Sequence, residues 1–85
     1  MEKTQRKIPE SKIQGRIVKE LEADGYFVVK LSLTNKNGMP DLMALKDGVA
    51  KFIEVKKTDG KVSPLQEYRM KELERFGFKC DIRRE

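Results

Sequence analysis

The chain has 85 residues, 39% of them charged, and a formal net charge of +5. A chain of this length buries only about 60–65% of its unfolded surface, which excludes a second hydrophobic core. It contains no histidine, the commonest general base and zinc ligand, so any metal site must use oxygen ligands. The single cysteine, Cys80, excludes an internal disulfide and favours a reducing compartment such as the cytoplasm.

The excess of positive charge favours a polyanionic partner, either nucleic acid or an anionic membrane. A basic protein without such a partner is equally consistent with the charge alone. No apolar run approaches the roughly 20 residues that span a bilayer, so we expect no membrane partner. We predict a basic N-terminal tail over residues 1–8 and a single domain over residues 9–85.

The first part of the chain predicts a helix followed by a strand. Pro9 suits the first turn of a helix, and Gly25 suits its end. Between them, apolar residues recur on one helical stripe: Ile13, Ile17, Val18 and Leu21. Residues 26–33 are rich in β-branched and aromatic side chains and predict a strand, which ends in a polar loop.

The middle of the chain predicts a β-hairpin. The pair Asp47-Gly48 lies between two runs of strand-forming residues and favours a two-residue turn. With these two residues in the turn, counting back along both strands places Asp41 opposite Glu54. Side chains alternate along a strand, so Lys56 shares their face of the sheet, together with Met43 and Phe52.

A second helix and a last strand complete the predicted fold. Ser63, Pro64 and Gln66 predict a capping box at the start of the helix. The apolar residues that carry the helix towards Gly77 are Leu65, Tyr68, Met70, Leu73 and Phe76. Residues 78–84 predict a strand, and the element order is therefore αβββαβ, an α+β fold.

Two carboxylates face each other on the predicted hairpin. Opposed side chains lie about 4.5–5.5 Å apart, and like charges at that distance repel. The opposition is reasonable if Asp41 and Glu54 chelate a divalent cation. The other face of the hairpin forms an apolar layer that we expect to be core: Leu42, Ala44, Ile53 and Val55.

The first helix offers a third carboxylate. Because the acidic face also carries Met43 and Phe52, we expect a helix to cover one end of it. At about 100° per residue, Glu10 falls near the centre of the apolar stripe of the first helix, whereas Glu20 lies at its edge. We therefore expect Glu10 to point towards the acidic pair, although a first-turn acid is also favoured by the helix dipole alone.

Three carboxylates and a lysine suit phosphodiester hydrolysis. Mg²⁺ or Mn²⁺ prefers carboxylate oxygens, water and a substrate phosphate as ligands. Such an ion polarises a phosphoryl oxygen and acidifies a bound water. Lys56 lies on the same side of its strand as Glu54 and can stabilise charge that develops on the phosphate or orient the water.

These residues resemble a known nuclease family. Pro40-Asp41 followed by Glu54-Val55-Lys56 is similar to the PD-(D/E)XK motif. Four blocks in order, "ESKIQ", "GMPDLMAL", "FIEVKK" and "SPLQ", resemble the VRR-NUC domain, the virus-type replication-repair nuclease, of the stand-alone phage or bacterial type. The resemblance implies a restriction-endonuclease-like αβββαβ core, in which two helices flank a mixed four-stranded sheet.

The resemblance also implies roles for individual residues. Glu10, Asp41 and Glu54 correspond to the acidic metal ligands, and the backbone carbonyl of Val55 adds an oxygen. Lys56 corresponds to the catalytic lysine. Gln66 matches a glutamine beside the site that contacts phosphate or a metal-bound water; its capping role with Ser63 is an equally good explanation, and both can hold.

The partners follow from the same resemblance. Stand-alone members are expected to act as homodimers on branched DNA such as four-way (Holliday) junctions, in a bacterial cytoplasm. Basic residues expected to contact DNA phosphates are Lys36, Lys57, Lys61 and Arg69, each of which is also consistent with an ordinary solvated charge. No small-molecule cofactor is expected.

Two other functions remain open at this point. A nucleic-acid-binding module could keep this fold without catalysis, although such a protein would gain from losing its acidic residues. A sequence-specific restriction nuclease is disfavoured because little of the chain is left for a recognition element.

Overall fold

The structure, a computed structural model, describes residues 8–85, so all of the predicted basic tail except Ile8 lies outside the described residues. The predicted element order αβββαβ is confirmed. The elements are α1 (Glu10–Ala23), β1 (Phe27–Lys30), β2 (Leu42–Lys46), β3 (Val49–Lys56), α2 (Pro64–Arg75) and β4 (Lys79–Arg84).

The four strands form one mixed sheet in the order β1-β2-β3-β4. The pairs β1/β2 and β2/β3 are antiparallel, whereas β3 and β4 are parallel. A parallel pair needs a crossover connection, and α2 supplies it. The predicted mixed sheet with two flanking helices is thus confirmed.

The hairpin between β2 and β3 has the predicted turn and register. Asp47 and Gly48 both have positive φ, 53° and 77°, as a two-residue turn of this kind requires. Lys46 pairs with Val49, and the ladder runs on to Leu42 opposite Ile53. One further step places Asp41 opposite Glu54 at the end of the sheet.

One face of the sheet packs against α1. The buried residues of this helix recur every four positions, at Ile13, Ile17 and Leu21. They form a single apolar cluster with the predicted core layer of the hairpin: Leu42, Ala44, Ile53 and Val55. Every one of these side chains is almost fully removed from solvent.

The helix beside the acidic face is α2. Gln66 of α2 donates a hydrogen bond to Glu54, and Cys80 of β4 donates through Sγ to the Met70 carbonyl. The expectation that the apolar stripe of α1 covers the acidic face is therefore wrong. The stripe packs on the opposite layer because that layer is wholly apolar, and only Glu10, at the N-terminal end of α1, lies near the acids.

The apolar residues of α2 are buried less than the sequence suggested. Met70 is buried, but Leu65, Tyr68 and Phe76 are exposed. Two residues along a helix correspond to a turn of about 200°, so Tyr68 and Met70 point in nearly opposite directions and cannot share one face. The sheet buries Met70 and leaves Tyr68 in solvent.

The segment from residue 31 to residue 41 leaves the sheet after β1 and returns at β2. It is anchored to α2, because the Nε of Arg69 donates to the carbonyl of Asn37 at 2.9 Å. Gly38, with φ 79°, packs directly against Leu65. We call residues 31–41 the β1–β2 loop.

A side chain at position 38 should disturb this anchor. An added Cβ would lie 2.7 Å from Leu65 Cγ and 3.1 Å from the Leu65 carbonyl oxygen. Gly48 provides the matched control, since it has a similar φ of 77° but no atom within 4 Å of such a Cβ. Both alanine substitutions should lower the free energy of unfolding by about 1–2 kcal/mol, because a residue with a Cβ is strained in the left-handed conformation. We expect Gly38→Ala to lose about 1–3 kcal/mol more in urea unfolding; equal losses would contradict this packing.

Candidate active site

Two strand ends bring the predicted acidic residues together. Because β2 and β3 are antiparallel, the start of β2 and the end of β3 lie at the same end of the sheet. The register continued past Leu42 sets Val55 opposite Pro40, whose nitrogen carries no hydrogen. The N–H of Val55 donates to Asp41 Oδ2 at 2.9 Å, which fixes this carboxylate beside β3.

Glu54 is the buried charge of the site. It is 1% exposed, and it is the only buried charged or polar residue among residues 8–85. Its Oε2 lies 3.4 Å from Lys56 Nζ and accepts a hydrogen bond from Gln66 Nε2 at 3.0 Å. Its Oε1 is buried, and no group within the described residues donates a hydrogen bond to it.

Gln66 caps α2, as one of its two predicted roles requires, and it also contacts the acidic pair. Its Oε1 accepts from the Ser63 N–H at 2.9 Å, and its own N–H donates to Ser63 Oγ at 3.1 Å, so the capping box is complete. Its Nε2 is then free to donate to Glu54. One amide therefore starts α2 and orients the buried carboxylate at the same time.

The two carboxyl groups have raised pKa values. Burial is the main cause for Glu54 and raises its pKa to about 7; the charge of Asp41 adds to the rise, and Lys56 opposes it. Burial also raises the pKa of Asp41, against the hydrogen bond from the Val55 N–H. Raised values of this kind mark carboxylates that lack sufficient positive charge nearby.

Glu10 and Glu20 are placed differently. Glu10 is half-buried, and its charge contributes to the raised pKa of both Asp41 and Glu54. Glu20 pairs with Arg83, with Oε1 2.6 Å from Nη2. Of these two acids, it is thus Glu10 whose charge acts on the site.

A divalent cation fits these residues. Between Ile8 and Glu85, no three carboxylates or thiols stand together as a metal-binding group. Mg²⁺, however, usually takes only one or two carboxylates, with water and substrate oxygens as its other ligands. Asp41 and Glu54 meet that requirement, and the orphaned Oε1 of Glu54 is an oxygen suited to a hard cation.

The predicted DNA-binding residues have different surroundings. Lys36 and Lys61 are exposed, and Lys57 is half-buried directly after β3. Arg69 donates to Asn37, and its Nη1 lies 2.6 Å from Glu72 Oε1, so its guanidinium is engaged within the chain.

The hydrogen bond that anchors the β1–β2 loop to α2 could not be predicted from the sequence. Gly38 lies beside this anchor and is approached closely by Leu65. The arginine to which the loop is bound lies 32 residues away, and no local pattern relates Asn37 to Arg69.

Comparisons with known proteins agree with this geometry. Residues 32–84, more than half of the chain, match the model of the VRR-NUC domain family. A solved structure described as a VRR_NUC domain is similar to this chain with a TM-score of 0.76 and 32% sequence identity, over 86% of this chain and 81% of that one. No curated protein matches the chain.

A mixed sheet with an aspartate and a Glu-Val-Lys triplet at neighbouring strand ends defines a domain of the nuclease type. The chain belongs to the VRR-NUC family. Its function is therefore of the nuclease type with DNA as substrate, and nucleases of this superfamily generally use divalent metal ions. None of the helices within residues 8–85 is long and apolar enough to cross a membrane.

The raised pKa of Glu54 predicts how the stability of the metal-free protein depends on pH. The pKa is about 7 in the folded protein against 4.5 ordinarily, so the folded state retains a proton that the unfolded chain has lost. The stability that this proton gives is present at low pH and disappears as the pH rises through about 7. We expect the free energy of unfolding, measured in urea with a chelator, to fall between pH 5 and pH 8.

Glu54→Gln stays neutral and should reduce this fall, leaving the smaller contribution of Asp41. Glu22→Gln, which removes an exposed acid from α1, is the control and should keep the wild-type slope. Identical pH slopes for Glu54→Gln and the wild type would show that Glu54 ionises normally in the folded protein.

Proposed function

We propose that the protein is a Mg²⁺- or Mn²⁺-dependent DNA endonuclease that hydrolyses phosphodiester bonds. The observation that supports this most directly is the buried Glu54 carboxylate beside Asp41. Natural proteins seldom bury a carboxylate oxygen without a hydrogen-bond partner, because doing so costs free energy. A bound cation would offset that cost.

The proposed metal ligands are Asp41, Glu54 and the backbone carbonyl of Val55. Glu10, whose charge acts on both acids although the three do not form one metal-binding group within the described residues, is proposed as a further ligand that joins when the cation binds. A bound divalent ion would polarise the scissile phosphate and lower the pKa of a water molecule. Gln66 keeps one oxygen of Glu54 oriented, and the Val55 N–H does the same for Asp41. Both acids are thereby fixed before substrate arrives, which limits the reorganisation needed during the reaction.

Lys56 is the proposed electrostatic catalyst. Its ammonium lies 3.4 Å from Glu54 Oε2, with the side chain largely buried. A positive charge fixed at this distance can stabilise negative charge on the phosphate as the attacking oxygen approaches. Lys36, Lys57 and Lys61 are proposed to hold phosphates around the site. Arg69 stays a predicted phosphate contact, with its present partners inside the chain.

Removing either Asp41 or Lys56 should abolish cleavage. We expect Asp41→Ala and Lys56→Ala to lower the single-turnover rate on branched DNA by at least about 100-fold, because each removes a group that acts on the reacting phosphate. Circular dichroism should show an intact fold. Wild-type rates for Asp41→Ala would contradict the metal site.

Glu10 and Glu20 of α1 form a matched pair in the same assay. Glu10→Gln should slow cleavage and raise the Mg²⁺ concentration needed for half-maximal rate, whereas Glu20→Gln should not. If only Glu20→Gln lost activity, Glu20 rather than Glu10 would be the third carboxylate of the site, which would contradict the proposal.

Ser63 and Gln66 allow capping to be separated from the effect on the site. Ser63→Ala removes the bond that Ser63 Oγ accepts from the Gln66 N–H and should cost about 1 kcal/mol of stability with little effect on the rate. Gln66→Ala keeps that N–H but removes the reciprocal bond from the Ser63 N–H and the hydrogen bond to Glu54, so it should additionally lower the rate and shift its pH profile. Equal rates in the two variants would limit Gln66 to capping.

We further propose that the protein acts as a homodimer on branched DNA such as four-way junctions. Two symmetric strands need two equivalent sites, which a two-fold dimer supplies. The part of the sheet that α2 does not cover supports a dimer. Among the described elements α2 packs chiefly on β4, and the strands beside it leave a partly exposed apolar surface: Phe27, Val29, Met43 and Leu45.

Phe27, 68% exposed on the edge strand, is the residue to test. The neighbouring aromatic residues are engaged within the chain, since Tyr26 packs against the core and Phe78 packs edge-on against Phe52. We expect wild-type protein to scatter light as a dimer at micromolar concentration and Phe27→Ser to dissociate. Phe76→Ser, an exposed residue next to α2, is the control. A wild-type mass of one chain, with or without junction DNA in Ca²⁺, would contradict the dimer.

A further inference from the structure

The exposure of Leu33, in the first part of the β1–β2 loop, has no structural explanation within the fold. Its side chain is 95% exposed, the highest value for a large apolar residue in the described part of the chain. Full burial of a leucine is favourable, so exposure at this level forgoes stability. The neighbouring Leu31, by contrast, is half-buried.

The loop that carries Leu33 is fixed in place. Arg69 holds it through the Asn37 carbonyl and is itself held by Glu72. Gly38 packs against Leu65, and Thr34 Oγ1 donates to the Lys36 carbonyl at 2.7 Å. Leu33 therefore lies in a structured segment, which contacts α2 through Asn37 and Gly38.

The base of the loop is part of the proposed active site. The N–H of Leu31 donates to the carbonyl of Asp41 at 2.8 Å. Leu33 follows two residues later, and a chain advances at most about 3.6 Å per residue, so its Cα lies within roughly 7 Å of that of Leu31. This distance corresponds to about two base steps of DNA at 3.4 Å each.

The positive charge near Leu33 favours DNA as the binding partner of this exposed side chain. Residues 30–40 contain Lys30 and Lys36 but no acidic residue. Both lysines are exposed. A divalent cation on Asp41 and Glu54 would hold the scissile phosphate, and the adjoining nucleotides would then lie alongside this positively charged loop and Leu33.

We infer that Leu33 is a wedge that inserts between two bases within a few steps of the scissile phosphate. Proteins kink and unstack DNA by placing an apolar side chain between base steps. Insertion is least costly where stacking is already interrupted, as at a branch point, so Leu33 is a specificity-determining residue for branched substrates. This inference rests on the proposed function, because the cation proposed at Asp41 and Glu54 would position the scissile phosphate and so fix where the DNA lies.

The test uses the full chain and a four-way junction with 2-aminopurine at single positions within four base pairs of the cut. The fluorescence of this base rises when stacking is lost. With Ca²⁺ in place of Mg²⁺, wild type should raise the fluorescence several-fold at one position. Leu33→Ser should not, and Leu33→Phe should restore the rise. Junction affinity should fall about tenfold or more in Leu33→Ser, because the buried leucine contact is lost.

Val49→Ser is the matched control, since Val49 is also an exposed apolar residue but lies at the opposite end of the hairpin. It should behave as wild type, and neither variant should change the thermal midpoint. An unchanged fluorescence rise in Leu33→Ser overturns the wedge. A halved mass of Leu33→Ser in light scattering also overturns it, by showing that a second copy covers the leucine.

The wedge and the proposed function can fail separately. Fluorescence in Ca²⁺ requires binding but no cleavage. If wild type gives the rise yet cuts no DNA in Mg²⁺ or Mn²⁺, the endonuclease proposal fails and the wedge stands. If wild type cuts the junction without any rise, the wedge fails and the endonuclease proposal stands.

Discussion

Strand β3 buries the carboxylate of Glu54 on the face of the sheet beside α2, where it contacts Lys56 and Gln66. β3 carries Ile53 and Val55 into the core beneath α1 and turns Glu54 to the other face, so one strand serves both layers. A carboxylate in that position is costly unless it is paired and hydrogen-bonded. Lys56 and Gln66 supply those contacts to one oxygen. The second oxygen has no donor within the described residues and is the atom that the proposed cation would bind.

The start of α2 is joined to the site through a single amide. A helix leaves its first N–H groups without internal partners, and Gln66 belongs to the capping box that satisfies them. Because the same side chain contacts Glu54, any displacement of the helix start also moves the buried carboxylate. The crossover that makes β3 and β4 parallel thus also sets the orientation of a proposed metal ligand.

Much of this arrangement could be predicted from the sequence, and the exceptions share a cause. Asp47-Gly48 fixed the hairpin register, and alternation then placed Glu54 and Lys56 on one face, because both rules are local. Periodicity identified Ile13 and Ile17 as buried but could not say which side of the sheet they meet. Two other contacts join segments that are distant in the sequence: the hydrogen bond from Arg69 to the Asn37 carbonyl and the packing of Leu65 on Gly38. No local pattern in the intervening sequence predicts them.

The hydrogen bond from the Val55 N–H to Asp41 makes a backbone group of the central hairpin part of the site. Whatever binds Asp41 competes with that N–H for the same carboxylate or polarises the bond further. By linkage, the binding of a ligand to Asp41 and the formation of this hydrogen bond must then influence each other equally. The amide proton of Val55 is accordingly a natural probe, and its solvent exchange and chemical shift would report on the proposed metal site from inside the protein.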